Sequence, residues 1–147
     1  MTRNQFKAKT AARLLLGAIF TVFGLNGFLH FLPQPAPTGL AAAFVGGLGA
    51  SGYMFPLLKG TEVITGLLLL SNRFVPLALT ILAPIVVNIV AFHAFLAPAG
   101  IALPIVITAL GVYLAYTERA VFAPILQARS SEPVPASAPR GHAAATA

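Results

Sequence analysis

The stretch FVPLALTILAPIVVNIVAFHAFL, from Phe74 to Leu96, decides the fold class because it contains no Lys, Arg, Asp or Glu. About 20 apolar residues in a helix cross the roughly 30 Å of hydrocarbon in a lipid bilayer. The whole chain has the same character: 58% of its 147 residues are hydrophobic and 8% are charged. Soluble domains carry about 25% charged residues. The composition therefore argues strongly against a water-soluble domain.

Three further apolar segments predict transmembrane helices. They run from about Ala11 to Leu32, from about Tyr53 to Leu70 and from about Ile101 to Thr117. Prolines after the first segment and short polar or Pro-Gly turns after the second and third end each helix. Short links of this kind make sequential helices antiparallel neighbours.

The segment from Thr38 to Gly52 is too short and too rich in glycine to cross a bilayer, and its apolar residues recur at helical spacing. We therefore expect an all-α fold: a four-helix transmembrane bundle with a short interfacial helix between spans one and two. The membrane domain covers residues 11–126. A basic cytoplasmic N-terminus, residues 1–10, precedes it, and an Ala/Pro/Ser-rich tail, residues 127–147, is predicted to be disordered.

The cations predict the orientation of the spans. Loops 33–52 and 97–100 contain no Lys or Arg, whereas cations precede span one, separate spans two and three, and follow span four. The positive-inside rule then places both termini in the cytoplasm. The alternative of a cleaved signal peptide ending near Ala43 is disfavoured, because the first apolar run is too long and contains Asn26 and His30.

Six polar residues inside the predicted spans form the candidate site. Lys59 and Glu62 are spaced i, i+3 and share a stripe with Gly66, so we expect the two charges to face the bundle interior and neutralise each other. The depth of each residue in the bilayer follows from its distance along the helix, at about 1.5 Å per residue. The depths of all six favour one intramembrane polar pocket that opens outward. Its predicted members are Asn26, His30, Lys59, Glu62, Asn88 and His93.

Structural roles remain open for the same residues. Intramembrane Asn often serves only to hold helices together, and Asn88 lies one turn after the helix-kinking Pro84. The small residues Gly17, Thr21 and Gly24 on span one predict close helix packing rather than chemistry.

Several kinds of chemistry are disfavoured by composition. The chain has no Cys, which excludes disulfides, thiolate catalysis and iron–sulfur or zinc sites built on its own cysteines. No metal site is expected, because loop carboxylates to complete a two-histidine site are absent. Flavin, haem and nicotinamide motifs are also absent, which leaves enzymatic activity undecided. Because the cations flank membrane spans, we expect no nucleic-acid binding.

The segment LKGTEVITGLLLL, from Leu58 to Leu70, followed by a turn with Arg73 and an apolar span, resembles the DoxX family of small bacterial membrane proteins. Glu62 and Gly66 match the family's second span, and Arg13 to Phe28 is similar to its opening helix. The resemblance covers about residues 11–125. It implies a four-helix protein of the bacterial inner membrane, associated with thiosulfate–quinone oxidoreduction.

Three functions follow as competing hypotheses. The first is an accessory oxidoreductase subunit, whose pocket faces a quinone and serves a partner redox protein. The second is a small-solute or proton-coupled transporter that works as an oligomer, with Glu62 and His30 as carriers. The third is a structural or assembly protein in which the polar cluster only fixes helix register.

Overall fold

The structure is a computed structural model and describes residues 2–124, which contain helices and no strand. The predicted tail, residues 127–147, lies outside the described residues. The helices are α1 (Arg3–Leu29), α2 (Gly39–Ala50), α3 (Met54–Leu70), α4 (Val75–Phe95), α5 (Ala102–Thr117) and α6 (Arg119–Phe122), with a 3-10 turn at Pro98–Gly100 between α4 and α5.

Each of the four predicted apolar segments forms a helix, and the predicted interfacial segment forms α2. The first segment differs at both ends. α1 begins at Arg3 because Thr2 and Gln5 form a reciprocal capping box around its first turn. It ends at Leu29 rather than Leu32, since His30 adopts a left-handed conformation with φ 51°.

Two helices, α1 and α4, are long and apolar enough to cross a membrane. A third span results if α2 and α3, which meet at 90°, are counted together as one broken segment. The hydroxyl of Ser51 stabilises this corner, since it donates to Leu48 O at 2.6 Å and accepts from Met54 N at 3.0 Å. Gly52 supplies the positive φ of 76° that the corner requires. α5 is apolar but shorter.

The four longer apolar helices pack in a ring in which α1 contacts α3 and α5, and α4 also contacts α3 and α5. α1 and α4 therefore lie across the ring from each other. The hydrophobic core contains Ala12, Leu16 and Phe20 of α1, Leu69 of α3, Val75, Ala78, Leu79 and Leu82 of α4, and Ile107 and Leu114 of α5. Large apolar side chains also cover the outside of the ring, as expected of helices surrounded by lipid.

The closest helix packing joins α1 to α3. Gly17 of α1 lies against Gly66 and Leu69, whereas Gly24 lies against Glu62 and Val63, so the two helices run antiparallel. This contact confirms the packing role predicted for the small residues of span one. It also positions the charged stripe of α3 directly against the backbone of α1.

Candidate functional site

Lys59 and Glu62 form an ion pair at the interface between α1 and α3. Lys59 Nζ lies 2.8 Å from Glu62 Oε2, and the side chains are 20% and 4% exposed. The site is narrow because α1 presents glycines to it: a Cβ added at Gly27 would lie 2.6 Å from Lys59 Cδ, and one at Gly24 would lie 3.1 Å from Glu62 Cβ. The predicted contact between the two charges is therefore present at a helix interface, with Glu62 buried.

Asn26 lies between Gly24 and Gly27 on α1, but its side chain forms hydrogen bonds with the turn that follows this helix. The buried amide accepts a hydrogen bond from Leu32 N at 2.6 Å and donates to Leu32 O at 3.5 Å. His30 N donates to Asn26 O at 2.9 Å, and the His30 side chain is exposed. Asn26 thus stabilises the turn that leaves α1, and it makes no hydrogen bond to Lys59 or Glu62 in the described part of the chain.

Asn88 and His93 lie in two further environments on α4. Asn88 is exposed and lines a groove of about 270 Å³ together with Phe44, Ala91, Phe92, Phe95 and Leu96. His93 Nδ1 lies 2.8 Å from Ile89 O, and the imidazole ring packs edge-on against Phe92 and close to Gly100.

The six predicted site residues are thus divided among separate environments rather than gathered in one pocket. The reason is the position of α4, which lies across the ring from α1 and turns Asn88 outward. Depth along a helix axis gives the level of a residue but not the direction in which its side chain points. Lys59 and Glu62 remain as the buried charged centre, with the Asn26 turn beside them.

Arg13 is a buried residue whose role the sequence did not reveal. Its guanidinium group, in a residue only 8% exposed, donates from Nη1 to Leu69 O and, at 3.0 Å, to Leu70 O. These carbonyls belong to the C-terminal end of α3, where the helix dipole favours a positive charge. One feature of the sequence could have indicated this role: Arg13 is the only cation inside the first predicted span.

A second contact joins the same end of the molecule. Lys9 Nζ lies 2.6 Å from Glu118 Oε1, which connects the first turns of α1 to the end of α5. Together, Arg13 and Lys9 place the start of α1, the end of α3 and the end of α5 side by side.

Thr21 is the polar group in the α1–α3 interface without an ordinary partner. Its hydroxyl oxygen is buried and makes no hydrogen bond within the described residues. It lies against the Cα of Gly66, where a side chain would overlap it.

The comparisons with known proteins add no relative: no family model, no curated protein and no solved structure matches the chain. Within residues 2–124, no group of three or more His, Cys, Asp or Glu side chains is arranged to hold a metal ion. The fold and site define an all-helical protein that has helices able to cross a membrane and a buried ion pair between two of its helices.

Proposed function

We propose that the chain is a four-span protein of the bacterial inner membrane, in which α1, α3, α4 and α5 are the spans. The ring packing supports this proposal, because α3 and α5 lie alongside the two helices that are long enough to cross. α3 and α5 have 17 and 16 residues, or about 24–26 Å at 1.5 Å per residue. Local thinning of the bilayer and the flanking turns compensate for the small difference from about 30 Å.

The orientation that we propose has both termini in the cytoplasm. The contacts of Arg13 with α3 and of Lys9 with Glu118 support it, since they bring the cation-bearing ends of three helices to one side. Arg73 and Arg119 follow α3 and α5 at this same side. The positive-inside rule assigns such a side to the cytoplasm.

Cysteine labelling tests the orientation in a chain that has no cysteine of its own. Gln34, Asn72 and Ala99 are exposed positions in the three turns. Gln34→Cys and Ala99→Cys should react with a membrane-impermeant maleimide in intact spheroplasts, whereas Asn72→Cys should react only after permeabilisation. Labelling of Asn72→Cys from outside, with Gln34→Cys protected, contradicts the proposed orientation.

We further propose that the protein is an accessory subunit of a quinone-linked membrane redox system, as its resemblance to the DoxX family implies. The observation that carries this proposal is the Lys59–Glu62 ion pair inside an apolar helix bundle. A charged group inside the hydrocarbon of a bilayer costs free energy to insert, and such groups commonly mark functional sites. Lys59 remains one-fifth exposed, and its ammonium group has three N–H donors. One of these is available to a quinone carbonyl that approaches Lys59 from the lipid at the edge of the α1–α3 interface.

In this proposal, Glu62 is a positioning residue that holds the Lys59 ammonium group in place, while the electron-transferring cofactor belongs to the partner redox protein. Glu62→Gln tests the role of the charge, because Gln retains the shape and a hydrogen-bond acceptor for Lys59. A soluble quinone analogue should raise the melting temperature of the detergent-purified protein. The rise should disappear in Glu62→Gln, while the variant remains folded.

Asn88→Leu is the matched control for the quinone experiment, because Asn88 lies in the separate α4 groove and should leave the thermal response unchanged. A full response in Glu62→Gln, together with its loss in Asn88→Leu, assigns the quinone to the groove and overturns the assignment to Lys59.

A structural role is the second candidate function, and one observation favours it. Glu62 is only 4% exposed, and Lys59 covers the backbone of α1 at Gly27, as expected of a pair that fixes helix register. Such a role depends on the hydrogen bond more than on the charge. Glu62→Gln would then leave the function of the folded protein nearly unchanged, and its effect would be confined to stability.

A further inference from the structure

Most of the outer face of α4 is exposed; Phe44 of α2 packs on Phe92 at 5.6 Å between ring centroids and borders the groove beside Asn88. α4 packs into the core through Ala78, Leu79 and Leu82. Its opposite face includes Val87 and Phe95, which are 68% and 83% exposed. The exposed face also includes Thr80, Pro84 and Asn88, which recur at helical spacing.

Two polar groups on this face lack their usual hydrogen bonds. The side-chain hydrogen bonds of α4 are those of Thr80 and His93, and the Asn88 amide makes none within the described residues. Pro84 has no N–H, so the carbonyl of Thr80 also loses the donor that an α-helix normally supplies. An amide or carbonyl without a partner is costly in an apolar environment. When this face is surrounded only by lipid, its polar groups therefore lack hydrogen-bond partners.

We propose that α4 pairs with α4 of a second copy of this chain, with Asn88 facing Asn88 across a two-fold axis. An amide has both a donor and an acceptor, so two identical amides satisfy each other when the interface is symmetric. Amide hydrogen bonds between transmembrane helices are an established means of association. Ala91, one turn beyond Asn88 on this face, is small enough to let the two helices approach closely.

The lining of the groove beside Asn88 favours a helix as the bound partner. It is lined by apolar and aromatic side chains, and Asn88 is the one polar residue among them. A partner must therefore offer an amide at one point and apolar side chains around it. The same face of a second copy offers both, because Val87 and Phe95 flank its own Asn88.

Substitution of Asn88 tests the pairing when self-association of the full chain is measured by energy transfer between labelled copies in liposomes. Asn88→Leu should weaken dimerisation about tenfold, the size expected for loss of the interhelical amide bonds. Asn88→Gln, which keeps the amide, should dimerise like the original protein. Val112→Leu on α5, at a position that is 66% exposed, is the matched control and should have no effect.

Disulfide crosslinking provides a second measurement that does not depend on affinity. Val87→Cys or Ala91→Cys should form covalent dimers on mild oxidation in liposomes, because residues beside a two-fold axis come within the 4.4–6.8 Å Cα separation that a disulfide needs. Val106→Cys on α5, 44% exposed, should remain monomeric. Equal crosslinking at Val106, or unchanged dimerisation of Asn88→Leu, overturns the proposal and leaves the groove to a lipid or another small apolar ligand.

Discussion

Lys59→Met should destabilise the protein more than the double change Lys59→Met, Glu62→Leu. The single change leaves the Glu62 carboxylate, 4% exposed, without its partner 2.8 Å away. Breaking a buried pair in this way typically costs about 3–5 kcal/mol, whereas replacing both partners by apolar residues is often neutral or stabilising. The measurement is the free energy of unfolding in mild detergent, or the yield of folded protein in the membrane where unfolding is irreversible.

The Lys9–Glu118 pair provides the control for this experiment. It is a closer pair, at 2.6 Å, but its side chains are 26% and 17% exposed and lie at the end of the bundle rather than inside it. Lys9→Met should therefore cost much less than Lys59→Met, on the order of 1 kcal/mol or below. If the double change at Lys59 and Glu62 is more damaging than the single one, the two residues do not neutralise each other.

The helices of this protein were largely predictable from the sequence because their signals are local. The charge-free run from Phe74 to Leu96 corresponds closely to α4, Val75–Phe95, because the turn before it and the Pro-Gly turn after it fix both ends. The start of α1 was not predictable from hydrophobicity, since the helix continues through basic residues to a capping box at Thr2. A cap is formed by two side chains and leaves no apolar pattern.

The candidate site was predictable only where the partners lie on one helix. Lys59 and Glu62 are i, i+3 on α3, so their pairing follows from helix geometry alone. Whether Asn88 joins Lys59 and Glu62 depends on how α4 is rotated about its axis and on which helices lie beside it in the ring. An apolar helix sequence does not specify this rotation, because many rotations bury the same apolar surface area. Arg13 illustrates the same difficulty, because its partners are backbone carbonyls of Leu69 and Leu70 that any sequence would supply.

Gly66→Ala should have the second large effect, because the close approach of α1 and α3 leaves no room for a methyl group. A Cβ at Gly66 would lie 2.7 Å from Thr21 N and 2.9 Å from Gly17 O, and it would overlap the Thr21 hydroxyl. Two of these atoms are backbone, so no rotamer change on α1 relieves the overlap and the helices must separate. Overpacking of this kind typically costs about 1–3 kcal/mol. The separation should also weaken the nearby contacts of Arg13 with Leu69 and Leu70.

Gly60→Ala is the matched control in the same helix, since a Cβ there meets nothing within 4 Å. Ala is a better helix former than Gly by about 1 kcal/mol, so this change should be neutral or slightly stabilising. The two variants change the same residue type in one helix, and the difference between their unfolding free energies therefore isolates the packing contact with α1. Thr21→Ala should not rescue Gly66→Ala, because the overlaps with Thr21 N and Gly17 O remain. Equal stability of Gly66→Ala and Gly60→Ala would contradict the close α1–α3 packing on which the position of the Lys59–Glu62 pair depends.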